Sequence, residues 1–303
     1  DGDTDLFVLN DVSRNYLYEN DGTGKFREVG IEMGVAFDSQ GRYLASMGVD
    51  CADYDNNGWL DFFQTSYSEQ LPALYRNTGR GYFEEVTAQA VPGSSLVPYI
   101  NWGVSFADFD NDGLVDLFVA NGNTQDNLKD YSAIASYEAP NALLRGIGGG
   151  KFADVSDACG DGLAPRYSSR GSAADDLDND GRVDIVVLNA RNRPTVIRND
   201  SPRAANHWFQ IELRGNRSNR DGVGAHVYVT AGGKTQLQEV HSGRSYQGHC
   251  GSRLHFGLGP AERVDAIEVR WIGGHVDRLK DFKVDRRVLI LEGGVAEYLP
   301  AGD

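Results

Sequence analysis

The stretch Ala52-Asp53-Tyr54-Asp55-Asn56-Asn57-Gly58-Trp59-Leu60-Asp61-Phe62-Phe63 decides the character of this chain, because it recurs. Ala107-Asp108-Phe109-Asp110-Asn111-Asp112-Gly113-Leu114-Val115-Asp116-Leu117-Phe118 is a second copy, and Asp175-Asp176-Leu177-Asp178-Asn179-Asp180-Gly181-Arg182-Val183-Asp184-Ile185-Val186 a third. The opening residues Asp1-Gly2-Asp3-Thr4-Asp5-Leu6-Phe7-Val8 form the back half of a fourth. The closing aspartates fall at positions 5, 61, 116 and 184, so the spacings are 56, 55 and 68 residues. An insertion around residues 122–141 accounts for the longer third spacing. Self-similarity at a fixed period of this size marks a repeat architecture.

Each copy has a second half. Asn15-Tyr16-Leu17-Tyr18-Glu19-Asn20 with Lys25-Phe26-Arg27-Glu28-Val29 answers to Ala73-Leu74-Tyr75-Arg76-Asn77 with Tyr82-Phe83-Glu84-Glu85-Val86, and to Asn141-Ala142-Leu143-Leu144-Arg145 with Lys151-Phe152-Ala153-Asp154-Val155. Short alternating runs separated by Asn, Asp and Gly turns predict strands joined by hairpins. Four such strands in about 55 residues make one β-propeller blade. The last copy ends early, at Thr195-Val196-Ile197-Arg198-Asn199-Asp200.

The shared pattern is D-x-D-x-[DN]-G-x-x-D. Hard cations such as Ca²⁺ take six to eight oxygens at about 2.3–2.6 Å. Carboxylates at positions 1, 3, 5 and 9 of a tight loop, with the carbonyl of position 7, converge on one point. Glycine at position 6 permits the left-handed turn. Without a cation, carboxylates this close raise one another's pKa. The predicted ligands are Asp53, Asp55, Asn57, Trp59 (by its carbonyl) and Asp61; then Asp108, Asp110, Asp112, Leu114 and Asp116; then Asp176, Asp178, Asp180, Arg182 and Asp184. Asp1, Asp3 and Asp5 belong to a fourth, truncated site. These are not EF-hands: the Glu required at position 12 is Gln64, Val119 and Val187, and the flanks read as strands. About three structural calcium clips are therefore expected.

The composition agrees with a turn-rich β-protein, with 37 glycines and 2 methionines. With 44 Asp+Glu against 29 Lys+Arg, a formal charge of −15, the surface repels phosphate backbones, so nucleic acid is not an expected partner. No apolar run approaches the 18–20 or so residues of a membrane-spanning helix. Three cysteines, Cys51, Cys159 and Cys250, allow at most one internal bridge. From about Ala204 the pattern changes to period-two runs, His207–Leu213, His226–Val229, Ala266–Trp271 and Arg287–Leu291, with glycine-rich turns. They predict a separate antiparallel β-sandwich or barrel over 204–303, behind propeller repeats over 1–203. All six histidines lie in this second part. His249, Cys250 and His255 match no established metal spacing, and turn or surface roles are the expectation for them. Gly243-Arg244-Ser245-Tyr246-Gln247 lacks the closing glycine of a nucleophile elbow. No catalytic set stands out, so an enzyme is not expected. The 122–141 insertion, with Tyr131 and Tyr137, reads equally as a binding loop or a tolerated surface insertion.

The repeats resemble FG-GAP/VCBS repeats. The stretch Gly215-Asn216-Arg217-Ser218-Asn219-Arg220-Asp221-Gly222-Val223-Gly224-Ala225, with Leu254-His255-Phe256-Gly257-Leu258-Gly259 and Val269-Arg270-Trp271-Ile272-Gly273-Gly274, resembles the ASPIC/UnbV domain. Together they are similar to the cartilage acidic protein family, bacterial type, although Ile272 stands where its W-P-x-G motif has proline. The resemblance implies a propeller of roughly seven blades, of which this chain carries an about four-blade portion. It also implies a secreted or cell-surface, calcium-binding protein that acts as an adhesion, binding or scaffold module towards extracellular protein or glycan. A self-assembling structural subunit is the alternative, and a glycan-active hydrolase the remote one.

Overall fold

Each repeat folds into its own antiparallel sheet in the computed structural model, which describes residues 2–92, 96–130, 136–202 and 205–300. Blade 1 holds β1 (Leu6–Val8), β2 (Tyr16–Asn20) and β3 (Phe26–Glu28). Blade 2 holds β4 (Val49–Ala52), β5 (Asp61–Gln64), β6 (Ala73–Asn77) and β7 (Phe83–Glu85). Blade 3 holds β8 (Asn101–Ala107), β9 (Asp116–Asn121), β10 (Ala142–Gly146) and β11 (Phe152–Asp154). Blade 4 holds β12 (Ser169–Asp175), β13 (Asp184–Asn189) and β14 (Thr195–Ile197). Within a blade the strands pair in sequence order, as an up-and-down meander does. The chain thus forms a partial propeller.

Alternate side chains of neighbouring blades meet, and each junction has its own apolar core. Leu17, Leu44 and Tyr75 fill the first, with Phe7 stacked on Phe62 at 4.8 Å. Phe63, Leu74, Val104, Phe106 and Leu117 fill the second, and Phe118, Ile185 and Val187 the third. Glycine stands five positions before the first loop aspartate in blades 2, 3 and 4: Gly48 and Gly103 let neighbouring inner strands approach closely, and Gly171 lies against the Tyr246 carbonyl. A Cβ on Gly48 would lie 2.2 Å from the Trp102 carbonyl oxygen, and one on Gly103 would lie 2.6 Å from the Ser172 nitrogen. β8 and β12 bulge beside these glycines.

The C-terminal part is a β-sandwich. One sheet has the order β18 (Leu254–Gly259), β15 (His207–Arg214), β21 (Arg286–Leu291), β22 (Val295–Tyr298). The other has the order β17 (Lys234–Glu239), β16 (His226–Ala231), β19 (Arg263–Arg270), β20 (Val276–Lys283). The period-two runs place Phe209, Ile211, Val227, Val229, Phe256 and Ile267 in the core between the sheets. All strand pairs in the sandwich are antiparallel except β15–β21, which run parallel. The expected domain boundary at 203/204 falls outside the described residues, as does Tyr131; the two parts themselves are in extensive contact. Asn123 donates its backbone N–H to the Tyr137 carbonyl, and its own carbonyl accepts from Ser168 and Arg170 of the next blade. The described parts of the insertion are therefore tethered to blade 4.

The loop between β17 and β18 plugs the inner face of the blades. Ser245 exchanges backbone hydrogen bonds with Val49 of β4, its Oγ accepts the Val104 N–H of β8 at 2.9 Å, and it meets Ser172 Oγ of β12 at 3.3 Å. One serine therefore touches three blades, at a left-handed φ of 70°. Elsewhere in the sandwich the turn 216–218 closes on a single buried carboxylate. The backbone N–H groups of Asn216, Arg217 and Ser218 all donate to Glu292 Oε2 at 2.7–2.9 Å. Burial pushes this carboxyl up, but the three N–H donors outweigh it and hold it at about 2.

Replacing Ser245 by alanine strands the buried Val104 N–H, and denaturant titration should show a loss of about 1–3 kcal/mol. Glu292 has a folded pKa below its unfolded one, so its contribution is present above the ordinary value near 4.5 and fades as pH falls towards about 2. Glu292→Gln should lower the melting temperature at pH 7 and narrow its gap to wild type as the pH approaches 2.

Candidate metal centre

The three complete loops join the first and second strands of blades 2, 3 and 4, and they fold identically around their own carboxylates. At position 1, Asp53, Asp108 and Asp176 each accept the backbone N–H groups of positions 5 and 6. At position 9, Asp61, Asp116 and Asp184 accept the N–H of position 2 on Oδ2. Their Oδ1 accepts an N–H from the end of the third strand or just past it, at Asn77, Gly146 and Asn199. Glycine at position 6 has φ of 86–88°. Position 4 is also left-handed, at 57–60°, and is asparagine in all three loops: Asn56, Asn111 and Asn179. Asparagine tolerates that region better than other side chains.

This folding brings positions 1, 3 and 9 together. Asp53, Asp55 and Asp61 each offer an oxygen within 4.8 Å of the others, as do Asp108, Asp110 and Asp116, and Asp176, Asp178 and Asp184. An ion with bonds of about 2.3–2.6 Å holds opposite oxygens roughly 5 Å apart, so each trio fits one coordination shell. The first and ninth residues of every trio are buried. Burial pushes Asp53 up to about 6, Asp61 up to about 8 and Asp116 up to about 7, with neighbouring carboxylates adding to each shift. Burial likewise drives Asp108 well above the usual carboxylate range, and Asp184 upwards. Such groups would be eased by a compensating cation, and an all-oxygen donor set suits a hard divalent one. The residues fit calcium.

The remaining sequence-predicted ligands stand outside these trios. At position 5, Asn57, Asp112 and Asp180 each accept the N–H of position 7 on Oδ1, shaping the turn. In blade 1, Asp5 Oδ1 accepts the Asn20 N–H just as its counterparts do. Burial raises its pKa, and Glu19 and Asp3 raise it further. Asp3 is exposed, and Asp1 lies outside the described residues.

One recurring group escaped the sequence reading. The third strand carries an arginine beside the loop in blades 2 to 4. Arg76 Nε donates to Asp55 at 2.7 Å, Arg198 lies 3.4 Å from Asp178, and the Arg145 charge opposes the upward shift that burial imposes on Asp112. The repeat Tyr75-Arg76-Asn77, Leu144-Arg145-Gly146, Ile197-Arg198-Asn199 was the available signal; blade 1 has Glu19 there. His255 stacks on Trp208 and reaches Asn111 Oδ1 with Nε2 at 2.7 Å, a packing role rather than a metal one. The thiols of Cys51, Cys159 and Cys250 are all unpaired.

The raised aspartates give the chelated protein a definite pH dependence. A carboxyl whose folded pKa lies above its unfolded value stabilises below the unfolded value and stops doing so as pH rises through the folded one. In chelator, the melting temperature should therefore fall between pH 5 and pH 8, as Asp53, Asp116 and Asp61 ionise unpaired. Excess calcium should flatten that slope in the same thermal scans.

Comparison with known proteins agrees with this geometry. Residues 1–64 and 53–119 match the FG-GAP-like repeat, and residues 215–297 match the ASPIC and UnbV family. The chain is 25% identical to cartilage acidic protein 1 of Xenopus tropicalis over 283 residues, 90% of its length. It is also 25% identical to the Homo sapiens protein over 277 residues, 89% of its length. It spans about 40% of the length of these curated relatives. Among solved structures, an Agrocybe aegerita lectin described as recognising non-reducing terminal N-acetylglucosamine aligns with a TM-score of 0.37 and 14% identity, over 83% of this chain and 67% of that one. By its repeats and its closing domain together, the chain is an FG-GAP-like repeat protein with a C-terminal ASPIC/UnbV domain, homologous to cartilage acidic protein 1.

Proposed function

We propose that this chain is a calcium-loaded extracellular module for binding, adhesion or scaffolding, in which the ions stiffen the blades that carry the binding face. The observation that carries the reading is the trio of aspartates, buried at the first and ninth loop positions, repeated in register in three blades. Positions 5 and 7 complete each shell in this reading: Asn57, Asp112 and Asp180 by side chain, Trp59, Leu114 and Arg182 by carbonyl. The ion links the first strand, the second strand and, through the ninth aspartate, the third. Repeats of the FG-GAP type and an ASPIC/UnbV domain fit an extracellular protein or glycan partner, and the relatives are named for cartilage and for acidity. Those names specify no catalytic activity. The space enclosed between the inner strands and the C-terminal domain is about 60 Å³. That holds about two waters, against roughly 300–1,000 Å³ for a small-molecule pocket. It favours recognition at a surface over a buried hydrolase site.

Self-association is a second reading, favoured by apolar side chains on blade 4. Leu188 and Val196 are each more than half exposed, and β14 is an unpaired edge. Sedimentation at rising concentration separates the two readings.

Elemental analysis of the purified chain should find about three calcium ions. Chelation should lower stability by several kcal/mol, since one site at a hundredfold excess over Kd contributes about 2.7 kcal/mol. A chain that binds no divalent cation, and melts unchanged in chelator, would refute the reading. Calcium-dependent capture on a panel of purified matrix proteins and glycans then tests the partner class.

A further inference from the structure

The three loops are joined in series. Asn56 Nδ2 donates to the Gly113 carbonyl of the next loop at 3.2 Å, and Asn111 Nδ2 donates to the Gly181 carbonyl of the one after at 2.9 Å. In the last loop the same position, Asn179, meets no further blade among the described residues. Its Oδ1 accepts instead from Arg253 of the C-terminal domain at 2.7 Å. Arg253 also donates to Asp175 Oδ1 at 2.8 Å and to the Asp176 carbonyl at 2.7 Å. The C-terminal domain thus occupies the place of the next loop.

It goes further than a neighbouring loop does. Gln210, fully buried on β15, donates Nε2 to Asp176 Oδ2 at 2.7 Å, an oxygen of the position-1 carboxylate itself. The same amide lies 3.1 Å from His255 Nδ1, whose Nε2 meets Asn111 Oδ1 at 2.7 Å. With Gln210 donating to Nδ1, the imidazole donates from Nε2, and Asn111 passes the sequence back to Gly181 through its own amide. The result is a closed ring of donors and acceptors between the loops 108–116 and 176–184. Gly257 of β18 lies directly on the other position-1 carboxylate, where a Cβ would stand 1.9 Å from Asp108 Oδ2. In the loop 53–61, by contrast, the hydrogen bonds to Asp53, Asp55 and Asp61 come from that loop and from β6.

We propose that Gln210 and Arg253 are positioning residues for the cation in loop 176–184, so that ion binding there and docking of the C-terminal domain stabilise each other. The proposal rests on the calcium reading above. Gln210 fixes which way the Asp176 carboxylate faces, and Arg253 fixes the loop backbone that carries it. Loop 108–116 is coupled more weakly, through His255 and Gly257, and loop 53–61 binds its ion independently. Binding couplings are reciprocal, so an ion that favours the docked arrangement must also be held more tightly by it.

Calorimetric calcium titration of the full chain, stripped by chelator, tests this with Gln210→Leu and Arg253→Met beside wild type. Each variant should weaken at least one binding event by about 5- to 150-fold, the usual span of such couplings. One event should stay unchanged, and Asp61→Asn should abolish that one. Hydrogen exchange on the unmutated chain gives a readout that needs no variant: calcium should slow exchange in Leu254–Gly259, a strand far outside the loops in sequence. Isotherms that superpose on wild type, all events weakened equally, or exchange in that strand indifferent to calcium would each overturn the coupling while leaving the ions in place. No ion bound to wild type at all would remove the calcium reading itself.

Discussion

Each blade turns on one carboxylate used in two directions. The ninth loop residue gives one oxygen to an N–H at the start of its own loop and the other to an N–H at the end of the third strand. Asp61, Asp116 and Asp184 thereby gather the first three strands of a blade at one end, and all three are buried there. Two further carboxylates offer oxygens within 4.8 Å, so the arrangement that orders the backbone also concentrates negative charge at a site where two of the three aspartates are buried. A third-strand arginine offsets part of that charge, and a divalent cation is the complement to the rest. Strand order, loop shape and the capacity to hold a metal ion are consequences of the same buried acid.

Much of this was legible in the sequence, because local rules and repetition reinforce each other. The D-x-D-x-[DN]-G-x-x-D spacing fixed the loops and the alternating runs fixed the strands, and both recur in phase. Blade count and the repeated aspartate loops follow from that phase. Other features were printed in the sequence but need three dimensions to acquire meaning. Gly48, Gly103 and Gly171 repeat five residues before each loop, yet only the close approach of the next inner strand, or for Gly171 of the Tyr246 carbonyl, explains them. Asn56, Asn111 and Asn179 repeat too, and their left-handed backbone shows why asparagine stands there.

What stayed hidden depends on residues far apart in the chain. Ser245 contacts Val104, 141 positions away, and His255 contacts Asn111, 144 positions away. No local pattern announces such pairs. A turn serine and a turn histidine look ordinary until the sandwich is laid across the blades, where both become interdomain hydrogen-bonding groups. Burial then lowers the His255 pKa to about 4, which keeps the ring neutral and able to accept on one nitrogen while donating from the other.

The parallel pairing of β15 with β21 sets an order of assembly. Its partners are distant, as the 77 positions between Trp208 and Asp285 show, and β15 sits in the middle of its sheet. A ribosome delivers the blades first, each a meander of sequence neighbours that closes early. The sandwich waits for β21 to pair with β15, and contacts of high sequence separation form slowly. The carboxylate loops of blades 3 and 4 therefore form before the sandwich strands that pack against them have paired.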